Sequence, residues 1–419
     1  MDLLLRNGVV GGEAVDIAIT AGRIEAIGTM LGLADRTEDL GGRVVLPPLI
    51  EPHIHLDAAL TVGQPRPNCS GTLAEGIAVW AERARALDEE DVKARVRQVL
   101  RWQIANGVQH VRSHVDISDP RLRALRALRE IRDEVRGQID LQLVAFPQQG
   151  IFSYDRGMSL MRQAAELGVD AIGGIPHFEL TREDGVESVR FSFALAQEFG
   201  LMVDIHCDET DDDHSRFVET MVAETIRRDL AGRVTASHTT AMHSYNGAYA
   251  AKLIAGIARA RLNMVTNPLS NSVLQGRFDA GPIRRGHTRV RELQAAGVNV
   301  CVGHDNVMDP WYPLGYADPL QAAFLLAHVA QLSGEAELPW LIEMITTNPA
   351  KALGVKDYGL QVGGPADLVV FDAPTAIDAL RLVAPRILVL RAGRELARTA
   401  PRETTVVWDG VPQPLQFVR

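Results

Sequence analysis

Leu49-Ile50-Glu51-Pro52-His53-Ile54-His55-Leu56 closes an apolar run that begins at Val44. The run reads as a buried strand or its approach, and His53 and His55 stand two residues apart at its end. On extended backbone, side chains two apart leave the same face, so both imidazoles would point together. Two neutral nitrogen donors at the mouth of a strand are half of a metal site. An isolated pair of this kind more often marks two packed or solvated histidines. Here the rest of the chain supplies the missing ligands.

From about residue 108, short apolar stretches alternate with amphipathic ones. Strands are expected at 108–117, 139–148, 169–177, 201–209, 233–240, 263–270 and 298–306. Helices are expected between them, among others at 91–105, 121–136, 187–199 and 218–230. With the strand ending at His53 the count is eight. Val- and Ile-rich strands separated by helices imply a parallel sheet, and eight such units imply a closed barrel. A doubly wound open sheet would not require eight units, and no Gly-rich phosphate turn is present. The expected fold is therefore α/β, a (β/α)8 TIM-like barrel. Residues 1–45 read instead as short strands with glycine turns, and Gly363–Phe371 and 386–393 look alike. A small β-sandwich built from both chain ends, 1–48 with 357–419, is expected to flank a catalytic barrel at 49–356.

The 419 residues are 46% apolar and 23% charged, with a net charge of −10, the profile of an ordinary globular protein. Only four of the 43 basic side chains are lysines: Lys93, Lys252, Lys351 and Lys356. No basic stripe marks a nucleic-acid surface, and no apolar segment approaches the roughly 20 residues that span a bilayer. The three cysteines, Cys69, Cys207 and Cys301, are scattered and form no CxxC, which fits a reducing compartment. The start of the chain lacks the basic and apolar regions of a signal peptide, so a cytoplasmic location is expected. Asp211-Asp212-Asp213, the longest acidic run, reads as a helix start.

In such a barrel the active site gathers at the C-terminal strand ends. The first strand ends at His53 and His55, the third at Phe146-Pro147-Gln148, the fifth at His206-Cys207-Asp208-Glu209. The sixth ends at His238-Thr239-Thr240 and the eighth at Gly303-His304-Asp305-Asn306. His53, His55, His206 and Asp305 make a three-histidine, one-carboxylate set with room for a water, suited to Zn²⁺ or Fe²⁺. His304 competes with Asp305 for the last position, but it would point to the opposite face of the strand. A metal there would acidify its water towards neutrality. Glu209, just beyond its strand, would take and return that proton, and His238 would bond the water or a developing oxyanion. His110, His114, His214, His287 and His328 read as structural, His177 as packed or supporting, and His243 as part of a helix start. Trp311, after Asp309-Pro310, would wall the pocket. Two-metal hydrolases on this scaffold bridge their ions with a carboxylated lysine ending the fourth strand. Here that strand ends Ile175-Pro176-His177, so a single metal is expected.

Taken together, Glu51–Asp57, Trp102–Gly107, Val144–Gln148, His206–Glu209, Ala236–Tyr249, Leu274–Phe278 and Asp309–Gly315 resemble the amidohydrolase superfamily. Within it the similarity is to the bacterial cytosine deaminases, over nearly the whole length. The resemblance implies one divalent ion, iron or zinc, on His53, His55, His206 and Asp305. It implies Glu209 as the proton shuttle and His238 as the residue that orients and polarises the hydroxide. Gln148, helped by the backbone around Leu73, would bond the amide edge of a pyrimidine, with Trp311 lining the ring's pocket. It further implies a small nucleobase-like substrate and a homo-oligomer, typically a hexamer. Two positions depart from the pattern. Asn306 replaces the usual second aspartate, as in relatives acting on s-triazine rings, and Gln148-Gln149 replaces Gln-Glu. The expected activity is hydrolytic deamination of cytosine or a close analogue. Alternatives are deamination of 5-methylcytosine, isoguanine, an s-triazine or creatinine, or cyclic amide hydrolysis.

Overall fold

The computed structural model describes residues 1–417. Eight parallel strands form one sheet: β1 (Leu49–Ile54), β2 (Val108–Asp116), β3 (Asp140–Phe146), β4 (Ala171–Ile172), β5 (Met202–Cys207), β6 (Val234–His238), β7 (Asn263–Thr266) and β8 (Asn299–Val302). They lie side by side in sequence order, β1 to β8. The sheet curls round until Ile54 bridges Asp305, the residue three past the end of β8. The amide of His55 donates to the carbonyl of Asp305 at 2.9 Å, and that of Asp305 to the carbonyl of His53 at 2.8 Å. This is the expected (β/α)8 architecture.

The strands are buried over most of their length, β2 at every residue, because helices cover the outside and side chains fill the inside. The helix Arg123–Glu134 shows how the cover forms. Its Ala124, Leu125, Ala127, Leu128 and Ile131 make one buried stripe at the three-to-four-residue spacing of a helix face.

Several expected strands are shorter than the stretches read for them, 298–306 pairing only at Asn299–Val302. The 169–177 stretch pairs only at Ala171–Ile172, and Pro176, lacking an N–H for the ladder, opens a 3₁₀ turn at Pro176–Phe178. The 263–270 stretch ends as a strand at Thr266. Pro268 starts the helix Pro268–Leu274, a position where its missing N–H costs nothing. The Asp211–Asp213 run precedes a helix but does not begin it. The helix starts at Phe217, where the Asp208 carboxylate accepts from the amides of Phe217 and Val218, both at 2.9 Å.

Both chain ends form further sheets. One joins Leu3–Val10, Glu13–Thr20, Arg23–Gly28 and Arg36–Asp39; a second joins Val45–Leu46, Leu368–Phe371, Arg386–Arg391 and Arg394–Arg398. Leu3, Leu5, Ile17, Ile19 and Ile24 pack with Leu368, Val370, Leu388 and Leu390 in an apolar cluster of their own. Val369 and Phe371 turn the other way, into the barrel's cluster, which is why Leu368–Phe371 is apolar at every position. Thr404–Trp408 and Val411–Leu415 pair as a separate hairpin. Val418 and Arg419, the last residues of the expected 357–419 segment, lie outside the described residues. Among the described residues, no helix is long and apolar enough to cross a membrane.

The seam between β1 and β8 is held by a fully buried carboxylate. Glu51 Oε1 accepts from the amides of His53 at 3.0 Å and His304 at 3.1 Å. Burial pushes its pKa up to about 8, against the pull of those two amides. Glu51→Ala is expected to leave both amides without this acceptor and to lower unfolding free energy by about 2–5 kcal/mol, read by urea denaturation. Glu51→Gln, which keeps one oxygen acceptor, should lose less.

Candidate active site

The strand ends bring their polar side chains into one small, desolvated space. His55 Nε2 lies 3.0 Å from His206 Nε2, and both His53 Nε2 and His55 Nε2 lie 3.4 Å from Asp305 Oδ1. His53, His206, His238 and Asp305 each offer a ligand atom within 4.8 Å of the others, all buried. That set takes His238 where the sequence expectation takes His55, whose Nε2 adjoins His206 and Asp305 in it.

The donor chemistry fits a cation. Burial drives His55 down to about 4 and His238 to about 3, and His206 well below its ordinary value. The rings are therefore neutral and carry free lone pairs. His55 Nε2 and His206 Nε2, beside the Asp305 carboxylate, can share one N–H between them or turn both lone pairs on a common cation. The Nε2 of His53 is buried with no hydrogen-bond partner in the protein. The cluster can therefore hold a divalent metal.

Local backbone aims these groups. His238, Asp208 and Asp305 have φ of 71°, 52° and 70°, a left-handed region that costs side chains on the order of 1–3 kcal/mol. The turn at Asp305 points its carboxylate towards His53 and His55. His304 faces away, its Nδ1–H donating to the carbonyl of Asn306 at 2.9 Å. Gly303 permits the approach of the eighth strand to the first, since a Cβ there would meet Asn267 Oδ1 at 2.4 Å and His53 Cβ at 2.9 Å.

Beside the cluster lies a narrow cavity. It is lined by Glu209, Gln148, Leu73, Asn306 and Trp311, with Phe146 stacked on His206. Burial, with the charge of Asp305 added, holds the Glu209 carboxyl well above its ordinary value. Asn271 ties the proton-handling groups together. Its Nδ2 donates to Glu209 Oε1 at 2.9 Å, and its Oδ1 lies 3.2 Å from His238 Nδ1. Leu73 opens the helix Leu73–Ala84, capped by the Thr72 hydroxyl. Asn306 donates to Asp309 Oδ2 at 2.7 Å, and Asp309 also accepts from the amides of Trp311 and Tyr312.

Sequence reasoning missed part of this site. His114, read there as structural, is buried against the cluster, its ring 4.0 Å from that of His53 and 4.7 Å from that of His206. Asn271, Ser237 and Asp204 were not singled out. Asp204 stands two residues before His206 on one strand, and that alternation was the available signal. His110, by contrast, pairs with Asp140 at the start of β3, away from the mouth.

A parallel barrel whose mouth gathers neutral histidines, a buried carboxylate and a second, proton-holding one defines the metal-dependent hydrolases of this architecture. The chain belongs to the amidohydrolase family, whose profile matches residues 36–407, enzymes that act on carbon–nitrogen bonds. The 5-methylcytosine deaminase of Klebsiella pneumoniae, solved with 5-fluorocytosine, superposes with a TM-score of 0.92. It is 42% identical, over 96% of this chain and 98% of that one. The N-isopropylammelide isopropyl amidohydrolase of Pseudomonas sp. (strain ADP) is 28% identical over 95% of this chain and 97% of its own length. The pterin deaminase of Rhizobium rhizogenes (strain K84 / ATCC BAA-868) is 31% identical over 87% of this chain and 83% of its own.

The pocket wall yields a direct test. Gly76 lies inside the helix Leu73–Ala84, where a Cβ would meet the Trp311 indole at 2.4 Å. Alanine favours a helix over glycine by about 1 kcal/mol, so any loss must come from the displaced ring. Gly76→Ala is expected to destabilise the fold by about 1–3 kcal/mol and to shift tryptophan fluorescence. An unchanged emission spectrum would contradict this contact.

Proposed function

We propose that this chain is a mononuclear, metal-dependent aminohydrolase that deaminates a cytosine-type ring, with cytosine and 5-methylcytosine as the first candidates. The observation that carries the reading is the single cavity in which Glu209 and Gln148 face the histidine–aspartate cluster. The likeness to the 5-methylcytosine deaminase supports the choice of ring. His53, His55, His206 and Asp305 would hold one Zn²⁺ or Fe²⁺, the ions this donor set suits. When bound, such an ion would lower the pKa of a water towards neutrality.

In this reading Gln148 orients the ring through its amide edge, and Trp311 and Leu73 confine it. Glu209 accepts a proton from the attacking water and delivers it to the ring nitrogen beside the reacting carbon. The carbon–oxygen bond forms as that nitrogen is protonated. A second proton passes to the exocyclic amine, the carbon–nitrogen bond breaks, and ammonia leaves with the ring now carrying a carbonyl. Burial favours the protonated carboxyl that delivers, and a divalent ion beside it would favour the ionised form that first accepts. His238 orients the water, and Asn271 keeps His238 and Glu209 in register. We also take 49–356 as the catalytic barrel and 1–48 with 357–419 as its companion, on the strength of their separate apolar cluster.

Glu209→Gln is expected to lower kcat by about 10²–10⁴-fold while the protein keeps its metal content by elemental analysis. Near-normal turnover in that variant would remove the shuttle role. Ammonia release from cytosine and 5-methylcytosine, measured side by side on zinc- and iron-loaded protein, tests the substrate. Turnover of neither base would overturn the cytosine-type reading.

A further inference from the structure

Beneath the cluster runs a buried polar chain that the deamination chemistry does not use. Arg112 Nη1 donates to Asp204 Oδ2 at 2.9 Å. Asp204 Oδ1 accepts from the Ser237 hydroxyl at 2.9 Å, and Ser237 Oγ lies 2.9 Å from His53 Nδ1. The four residues come from β2, β5, β6 and β1, so the chain crosses the barrel interior. All four are at most 1% exposed.

The donor and acceptor inventory leaves one consistent assignment. An ionised carboxylate only accepts, so the single hydroxyl proton of Ser237 goes to Asp204. Ser237 Oγ can then only accept from His53, which must carry its ring proton on Nδ1. The lone pair of His53 is thereby placed on Nε2, the atom that lacks a protein partner and faces Asp305. Metal-bound histidines commonly have the far nitrogen held in this manner, which fixes the tautomer and raises donor strength. Here a hydroxyl is interposed between carboxylate and imidazole. Arg112 offsets the buried charge of Asp204 and is itself held by Gln142 Oε1 at 2.9 and 3.0 Å. His55 is served differently, by the backbone of His114.

We propose that Asp204, acting through Ser237, is a positioning residue that fixes the tautomer and orientation of His53 for the metal. The inference rests on the metal-site reading above. It predicts a loss of metal affinity, separable from any loss of fold. The test uses the full-length protein stripped of metal and titrated with Zn²⁺ and Co²⁺ against a chromogenic chelator. Visible spectra of the Co²⁺ form and the thermal midpoint of the metal-free form are recorded alongside.

Ser237→Ala removes one oxygen and is expected to weaken metal binding about 10–100-fold and to shift the Co²⁺ bands. The His53 Nδ1–H it leaves without an acceptor should lower the metal-free midpoint, so affinity is compared well below that midpoint, where both proteins are folded. Asp204→Asn should weaken binding similarly; if it fails to fold because Arg112 loses its counter-charge, Ser237→Ala alone decides. Ser192→Ala is the control. It deletes an equally buried hydroxyl that bonds only the carbonyls of Gly173 and Ser188, and should leave affinity unchanged. Parental affinity and an unshifted Co²⁺ spectrum in Ser237→Ala would overturn the relay while leaving the metal site intact. Failure of the parent protein to bind either ion would instead remove the metal reading, and the relay with it.

Discussion

Backbone hydrogen bonds between β1 and the residues after β8 join parts of the chain some 250 positions apart, and the site depends on them. They set His53 and His55 beside Asp305. The Glu51 carboxylate reinforces the seam by accepting amides from both sides. Without that seam the barrel would have two free edges, each exposing unpaired backbone groups. His53 and His55 would then hang from an open strand. The elements that close the fold thus also carry three of the proposed metal ligands.

Desolvation governs how these groups behave. Taking histidines out of water disfavours their charged form, which leaves lone pairs available. Taking a carboxyl out of water does the opposite to its ionised form, and Glu209 holds its proton more firmly as a result. One buried space therefore separates two roles, neutral ligands on one wall and a proton carrier on the other. The Arg112 guanidinium pairs with Asp204 beneath the cluster rather than with groups in the cavity. The position after Asp305 follows the same logic. Asn306 donates to Asp309, whose carboxylate already accepts two amides. An aspartate at 306 would set two carboxylates against each other; the amide removes that repulsion at the cavity's rim.

How much of this was legible in the chain varies by residue. The eight strands were readable because apolar runs recur between amphipathic stretches, and their order followed from parallel pairing. Their ends were less so: β4 stops at Ile172, before Gly173-Gly174, and β7 stops at Thr266, just before Pro268 starts a helix. The polar residues at the strand mouths stood out because they interrupt apolar sequence. His114 did not, since it lies inside a strand in which every residue is buried, and nothing local separates a packed histidine from one touching a ligand cluster. Asn271 was hidden for a related reason. It sits on a short helix after β7, and its partners, Glu209 and His238, come from two other strands.

The sequence by itself determined the kind of protein this is. Strand–helix alternation, counted to eight, is a local and periodic property, and so is the placing of histidines and carboxylates where strands end. Tertiary structure decided the rest: that histidines and a carboxylate from several strands meet, that Glu51 clasps the seam, and that Asp204 reaches His53 through Ser237. Those contacts depend on barrel closure and on register across the sheet. No window of neighbouring residues contains that information, because hydrogen bonds of about 3 Å here join residues 33 to 253 positions apart.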